Sequence, residues 1–106
     1  MAKISELSAQ DFEKKIAVSK KPILVEFFAS WCGACKTLEP VLKKFLTKKP
    51  DFEAFKVSVE KESKLAAKFH VMSLPTLLVF SEGKPTKQIT GLFSEAELEK
   101  KLSQFY

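Results

Sequence analysis

The chain is short of cysteine and glycine, and it contains no arginine. Its 106 residues include two cysteines and three glycines, and all 18 basic residues are lysines. Two cysteines cannot staple a chain of this length as they staple small secreted scaffolds, so a close pair indicates redox or metal chemistry. Without arginine the chain lacks the bidentate group that most often grips phosphate and reads guanine, which disfavours nucleic-acid binding. The net charge of +5 favours acidic protein partners.

Long apolar runs are also missing. The longest largely apolar runs, residues 23–29 and 77–80, fall far below the roughly 20 residues needed to cross a bilayer. The first twenty residues are mixed in charge and hold no stretch typical of a secretory signal. We therefore expect a cytoplasmic protein that does not associate with membranes. With 45% hydrophobic residues, a chain of this length supports one core, so we expect a single domain over residues 1–106 and a monomer.

Hydrophobic periodicity predicts alternating helices and strands. Predicted helices span 8–16, 32–49, 61–69 and a closing segment after the Ser94 and Glu97 capping box, and predicted strands span 22–29, 55–59, 76–80 and 85–90. The connection between the first two strands is long enough for a parallel crossover, and the turn at 81–84 favours an antiparallel hairpin. The sequence predicts an α/β fold: a central mixed sheet of four to five strands, flanked on both faces by about four helices.

The hexapeptide Trp31-Cys32-Gly33-Ala34-Cys35-Lys36 carries the clearest chemistry. It lies where a buried strand gives way to a helix, which places Cys32 at the helix N-terminus and Cys35 one turn inside. Free amide groups and the positive end of the helix dipole favour a thiolate, so Cys32 is the expected nucleophile. Residues three apart on a helix have Cα atoms roughly 5 Å apart, a separation that a disulfide tolerates. The pair can therefore close and reopen without refolding of the chain.

Other uses of the cysteine pair have less support. A structural bridge across a loop of about four residues contributes only about 2 kcal/mol in the chain-entropy model. A closed zinc site needs four ligands, whereas the chain offers two thiols and the remote His70, to which we assign no catalysis. Haem attachment needs a histidine where Lys36 stands. An iron–sulfur cluster shared between two chains stays open.

Glu26 is a second candidate, indicated by its place in a predicted strand. It shares a face with Leu24 and Phe28. Burial of an ionised carboxylate is costly, so we expect a raised pKa for Glu26, which would poise it as an acid or base. The alternative is an edge strand that turns Glu26 to solvent.

The segments VEFFASWCGACK and SLPTLLVF, with Gly91, resemble the thioredoxin family at matching intervals over essentially the whole chain. Thioredoxin is itself the standard example of a Cys-X-X-Cys redox motif. The resemblance implies a thioredoxin fold and a general protein-disulfide reductase that binds no cofactor itself. It implies recharging by thioredoxin reductase, through which FAD and NADPH act indirectly. Expected clients are disulfide-containing proteins such as reductases and peroxidases.

The resemblance also implies roles for individual residues. Cys32 would attack a substrate disulfide and Cys35 would resolve the mixed disulfide. Glu26 stands where the family usually has aspartate, thought to exchange a proton with the resolving cysteine, and Lys56 matches a lysine that pairs with that carboxylate. The expected substrate-binding residues are Trp31, Gly33, Ala34, Val59, Leu74, Pro75, Thr90, Gly91 and Leu92.

Three of these positions call for separate expectations. Pro75 resembles the family's cis-proline, whose bond turns the backbone of Leu74 towards the cysteines for pairing with an extended substrate. Gly91 has a warrant of its own, because a backbone can approach closely at glycine. Ala34 departs from the proline of most family members, so we expect a looser pair and a more oxidising disulfide.

Two other functions stay open from the sequence. Related folds with altered residues between the cysteines act as disulfide oxidases or isomerases, and a strongly oxidising potential would favour that function. A thioredoxin-like binding subunit would instead use its apolar groove as a scaffold and would not need its cysteines. Ordinary structural roles also stay open for four expected groove residues: Trp31, Val59, Thr90 and Leu92. Lys56 could likewise be an exposed lysine on an alternating strand.

Overall fold

A computed structural model of the protein describes residues 3–106. In chain order the elements are β1 (Ser5–Glu6), α1 (Ala9–Lys15), β2 (Ile23–Phe28), α2 (Gly33–Thr47), β3 (Glu53–Ser58), α3 (Ser63–Lys68), β4 (Thr76–Ser81), β5 (Lys84–Thr90), α4 (Glu95–Leu102) and a 3-10 turn at Ser103–Phe105. The strands form one sheet in the order β1-β3-β2-β4-β5. The predicted mixed α/β sheet with helices is therefore confirmed.

Strand β2 lies at the centre of the sheet. It pairs in parallel with β3, the strand that follows α2, and antiparallel with β4. Strands β4 and β5 form an antiparallel hairpin across Glu82 and Gly83, whose positive φ angles of 53° and 80° suit a tight turn. The predicted parallel crossover and the predicted hairpin are both confirmed.

The alternation of side chains along β2 builds the two layers of core. Ile23, Val25 and Phe27 point into a cluster with residues of α1 and α3. Leu24 points the other way, into a cluster with residues of α2 and α4. Helices therefore cover both faces of the sheet, as the sequence predicts, and Glu26 shares its face with Leu24.

Local capping determines where two of the helices begin. Ser8 Oγ accepts a hydrogen bond from the Asp11 N–H at 3.1 Å. Ser94 and Glu97 form the predicted capping box, in which each side chain accepts from the other residue's backbone N–H, at 3.1 and 2.9 Å. Both predicted helix starts are confirmed.

Several predicted boundaries need correction. Helix α2 ends at Thr47 rather than residue 49, because the next two backbone N–H groups, of Lys48 and Lys49, bond three residues back and tighten the chain. Helix α3 is shorter than predicted. Strand β3 spans Glu53–Ser58, so Val59 lies just beyond it, although its N–H still donates to a β2 carbonyl.

The edge strand β1 has no counterpart among the predicted elements. Its two residues are both exposed and pair in parallel with β3. A strand this short has no apolar alternation that a sequence pattern could reveal. Within residues 3–106, the structure contains no helix with the length and apolar character of a membrane span.

Candidate active site

The cysteine pair lies where β2 gives way to α2. Cys32 is the N-cap residue and Cys35 lies in the first turn of the helix. Their Cα atoms are 5.3 Å apart and their sulfurs are joined as a disulfide. The backbone N–H of Cys35 donates to Cys32 Sγ at 3.1 Å. The predicted placement of the pair is confirmed.

This position makes the two sulfurs chemically unequal. Cys32 Sγ occupies the place of a capping oxygen, so a free amide donor and the helix dipole both favour negative charge there. Cys35 lies deeper, with an exposed fraction of 3% against 7% for Cys32. The arrangement suits a thiolate at Cys32 and a protected thiol at Cys35.

An open groove of about 300 Å³ runs beside the dithiol, and it is lined by Trp31, Cys32, Val59 and the segment 71–74. Trp31 is 71% exposed, so it does not belong to the core. Three predicted substrate-binding residues line the groove: Trp31, Val59 and Leu74. Sequence reasoning missed residues 71–73, including the 90% exposed Met72. Their place next to Pro75 in the chain is the only signal that could have indicated them.

The peptide bond between Leu74 and Pro75 is cis, as the resemblance predicts. The Gly91 N–H donates to the Pro75 carbonyl at 3.0 Å, which brings the end of β5 against this loop. Thr90, the last residue of β5, pairs with Thr76 at the start of β4, and Leu92 is exposed. Neither Thr90 nor Leu92 lines the groove next to Trp31.

The glycine at position 91 also suits its own backbone conformation, and the expected close approach of a client backbone stays a prediction. Its φ is 114°, a conformation that side chains disfavour, and a Cβ built there would meet no atom within 4 Å. The backbone conformation, rather than a close approach within the protein, accounts for this glycine.

The two residues between the cysteines have separate surroundings. Gly33 is exposed and opens α2, and nothing lies within 4 Å of a Cβ built there. Ala34 is half-buried and packs against the cluster that contains both cysteines. Neither residue lines the groove.

Glu26 is buried in the central strand, with an exposed fraction of 1%. This burial excludes the solvent-facing alternative. Among residues 3–106, neither of its carboxyl oxygens has a hydrogen-bond partner. Burial raises the pKa of Glu26 to about 7, with a further upward contribution from the charge of Glu39, and the charges of Lys56 and Lys43 oppose the rise. The expectation of a raised pKa is confirmed.

Lys56 does not form the expected ion pair with Glu26. It lies opposite Glu26 in the ladder between β2 and β3, yet its Nζ bonds Glu39 Oε1 at 3.1 Å. Lys56 therefore acts on Glu26 only through its charge. Sequence reasoning missed Glu39, although Cys35, Glu39 and Lys43 follow one another at four-residue intervals along one stripe of α2.

A second missed acidic residue steadies the loop before the cysteines. Glu60 accepts from the Ser30 backbone N–H at 2.7 Å and from the Ser30 hydroxyl at 3.1 Å. These bonds, the backbone one foremost, lower the pKa of Glu60. They tie the loop between β2 and α2 to the loop that follows β3. No pattern in the sequence indicates this contact.

Within the part of the chain that the structure describes, no group of three or more His, Cys, Asp and Glu side chains is placed to hold a metal ion. The redox-active dithiol, the cis-proline loop beside it and the buried carboxyl behind it together form the candidate site.

Comparison with known proteins gives consistent results. The family model for thioredoxin matches residues 3–104. A thioredoxin of Mycobacterium bovis is 40% identical over 93 residues, which span 87% of this chain and 80% of that protein. The bifunctional thioredoxin reductase/thioredoxin of Mycobacterium leprae is 35% identical over 99 residues, which span 92% of this chain and 22% of that protein. The crystal structure of Malassezia sympodialis thioredoxin superposes with a TM-score of 0.86 at 24% identity, covering 99% of this chain and 92% of the other, and supports the same fold.

Proposed function

The chain belongs to the thioredoxin family and is a protein-disulfide reductase with a redox-active Cys32–Cys35 pair, and from this premise we propose how its residues divide the reaction. Cys32 is the attacking residue, Cys35 the resolving residue and Glu26 the group that exchanges the proton of Cys35. The observation that carries the proposal is the Cys32 sulfur held at the start of α2, where it accepts the Cys35 N–H.

The first step forms a mixed disulfide. The Cys32 thiolate attacks one sulfur of a client disulfide, so a bond forms between Cys32 Sγ and that sulfur while the client's own S–S bond breaks. The departing client sulfur leaves as a thiolate and takes a proton from solvent. The backbone donor at Cys32 favours the starting thiolate and so favours this attack.

The second step releases the client. Cys35 gives its proton to the carboxylate of Glu26 and attacks Cys32 Sγ, which forms the intramolecular disulfide and expels the second client thiolate. Two electrons pass from the dithiol to the client, and no bound cofactor takes part. The burial of both Cys35 and Glu26 supports this assignment, because a proton acceptor with a pKa near 7 suits transfer at neutral pH.

Clients would dock along the groove beside Trp31. An extended client segment would lie between Trp31 and the loop that contains Leu74 and Pro75, with its disulfide over Cys32. The ends of β5 and the loop after it, at Thr90, Gly91 and Leu92, would extend this surface beyond the cis-proline. Gly33 and Ala34 would contact the client only next to the cysteines themselves.

After each turnover, a partner protein must return two electrons to the Cys32–Cys35 disulfide. The fusion of reductase and thioredoxin in the Mycobacterium leprae relative supports thioredoxin reductase as this partner. FAD and NADPH would then serve the reaction through that partner alone. Reductases and peroxidases are the proposed clients, and a monomeric single domain over residues 1–106 is the proposed working form. The cytoplasmic location stays a prediction.

A trapping experiment tests the division of roles. The Cys35→Ser variant should accumulate mixed disulfides with client proteins through Cys32, because the resolving thiol is gone. The measurement is non-reducing electrophoresis of the variant after incubation with oxidised client proteins, followed by release with dithiothreitol.

The matched control is Cys32→Ser, which keeps one thiol at the same site. Equal trapping by this variant would contradict the assigned roles. Measurement of the equilibrium potential of the wild-type pair in a glutathione buffer completes the test. A strongly oxidising value would identify an oxidase instead of a reductant. Such a value would also agree with the expectation that Ala34 makes the disulfide more oxidising.

A further inference from the structure

The surroundings of Glu26 contain a cation that does not bond to it. Lys56 projects from β3 directly opposite Glu26 in the parallel ladder. A lysine in this register would ordinarily satisfy a buried carboxylate, but both oxygens of Glu26 are without a hydrogen-bond partner among the described residues. Something else must therefore hold the ammonium group.

Glu39 on α2 holds it. Lys56 Nζ lies 3.1 Å from Glu39 Oε1, and Lys43 Nζ lies 3.6 Å from the same oxygen. The ammonium of Lys56 also lies over the Phe28 ring, 5.1 Å from its centroid. One carboxylate thus gathers two ammonium groups at the half-buried edge of the helix, above the strand that carries Glu26.

We propose that Glu39 is a positioning residue of this dithiol site, which holds the Lys56 ammonium on α2 and keeps it from pairing with the buried carboxyl of Glu26. Glu39 does not line the groove, and its carboxylate pairs with Lys56 and Lys43. It acts through Lys56. The catalytic meaning of this inference rests on the proposed role of Glu26 in proton exchange, whereas its electrostatic content does not.

The charged groups around Glu26 come from two elements. Helix α2 contributes Glu39 and Lys43, and strand β3 contributes Lys56. On its other side, β2 pairs Glu26 with the apolar Leu77 of β4. Helix α4 covers the same face, but two of its acidic residues pair away from Glu26, Glu95 with Lys48 and Glu99 with Lys49.

The negative charge of Glu39 and the capture of Lys56 act in the same direction, because both raise the pKa of Glu26 towards neutral pH. With a pKa of about 7, Glu26 is ionised in part of the molecules at neutral pH, so it can accept the proton of Cys35 in the resolving step and return it to solvent afterwards. A direct Lys56–Glu26 pair would instead hold Glu26 ionised and lower its basicity. Glu39 therefore tunes the pH at which the proposed proton exchange takes place.

The test is a titration of the Glu26 carboxyl by carbon NMR in the oxidised protein, compared between the wild type and Glu39→Gln. Glutamine keeps the size and an acceptor oxygen but removes the charge. We expect the pKa of Glu26 to fall by about one pH unit, because the two ammonium groups then act on Glu26 without opposition. From a starting value of about 7, this fall raises the ionised fraction at pH 6 about fivefold.

The positioning role is separated from a simple charge effect by a double variant. In the Lys56→Gln background, Glu39→Gln should shift the Glu26 titration clearly less than in the wild type. An equal shift in both backgrounds would show that Glu39 acts directly and would overturn the inference. Glu53→Gln on β3 is the matched control for net charge and should leave the titration in place.

A second readout is the pH profile of insulin-disulfide reduction. The acidic limb of turnover by Glu39→Gln should move to lower pH with KM unchanged, and Glu39→Asp should restore part of the wild-type profile. An unmoved titration overturns the inference about Glu39 even if the protein reduces insulin. A titration that moves clearly more with Lys56 present than in the Lys56→Gln background, in a protein that reduces no insulin, supports the inference and counts against the proposed function instead.

Discussion

The two faces of the central strand β2 differ in what they bury. On one face, Ile23, Val25 and Phe27 pack into a cluster of apolar side chains. On the other, Leu24 is followed by Glu26, a buried carboxyl without a hydrogen-bond partner among residues 3–106. The same six-residue strand thus serves stability on one side and chemistry on the other.

The fold carries an energetic cost on the face of β2 that bears Glu26. An unpaired buried acid destabilises the native state, and proteins keep such groups mainly at functional sites. Helix α2, which covers this face, also carries Cys35 and Glu39. Among residues 3–106 the apolar face buries no carboxyl group, so mutations on the two sides of β2 should differ in kind as well as in size.

The largest expected effect is the loss of packing on the apolar face. Phe27→Ala should lower the free energy of unfolding by about 3–5 kcal/mol, because it removes a fully buried ring and leaves a cavity. The loss should be the same at pH 5 and pH 8. Urea unfolding of the oxidised protein at both pH values measures it.

The exposed Val18 provides a control for this prediction. Val18→Ala removes apolar atoms from a side chain that is 72% exposed, so it should change stability by less than about 0.5 kcal/mol. A loss for Phe27→Ala that depended strongly on pH would break the contrast between the two faces.

On the face of β2 that carries Glu26, the contribution to stability should depend on pH. The pKa of Glu26 is about 7 in the folded protein against an ordinary value of 4.5, so folding favours its protonated form. Its contribution to stability is fully present below pH 4.5 and is lost as the pH rises through about 7, to an extent of about 3 kcal/mol. Glu26→Gln should remove this pH dependence, as measured by urea unfolding between pH 4 and pH 8.

Two further measurements sharpen the result for Glu26. Glu53→Gln, on the exposed surface of β3, should keep the wild-type pH dependence of stability. Glu26→Gln should also slow disulfide reduction at neutral pH while it leaves the fold intact, because the proposed proton acceptor is gone. An unaltered pH–rate profile would remove Glu26 from the mechanism.

The smallest expected effect should be equal on both faces. Ser8→Ala and Ser94→Ala each remove one capping bond, at the start of α1 and of α4, and each should cost about 1 kcal/mol of stability. Neither variant should change the potential of the cysteine pair. A changed potential for Ser94→Ala alone would show that the start of α4 is coupled to the dithiol, and it would contradict the expected equality of the two faces.

The predictable part of the fold consists of elements with strong local signals. Strand β2 is apolar at every position except Glu26, and the starts of α1 and α4 carry capping side chains at fixed spacing. The sequence pattern predicts the end of α2 at residue 49, two residues beyond its observed end at Thr47. The pattern continues past Thr47, whereas the backbone hydrogen bonds there change to three-residue spacing. Strand β1 exists only because the edge of β3 offers it partners.

The predictable part of the site follows the same division. A strand that ends in a Cys-X-X-Cys segment places the first cysteine at a helix start, and the structure has it there. The place of residues 71–73 in the groove and the hydrogen bonds between Ser30 and Glu60 both depend on loops that meet only after folding. The predicted pairing of Lys56 with Glu26 is wrong for the same reason, because Glu26 and Glu39 both lie near Lys56 and only the folded arrangement selects Glu39.

The sequence by itself determined the order and type of the main elements and the position of the dithiol at a strand–helix junction. Those properties depend on residues a few positions apart, whose spacing the backbone geometry already specifies. Only the tertiary structure decided that Lys56 bonds Glu39, 17 residues away, and leaves Glu26 without a partner. That choice depends on how α2 lies over β2 and β3, and a difference of a few ångströms determines which carboxylate the ammonium reaches.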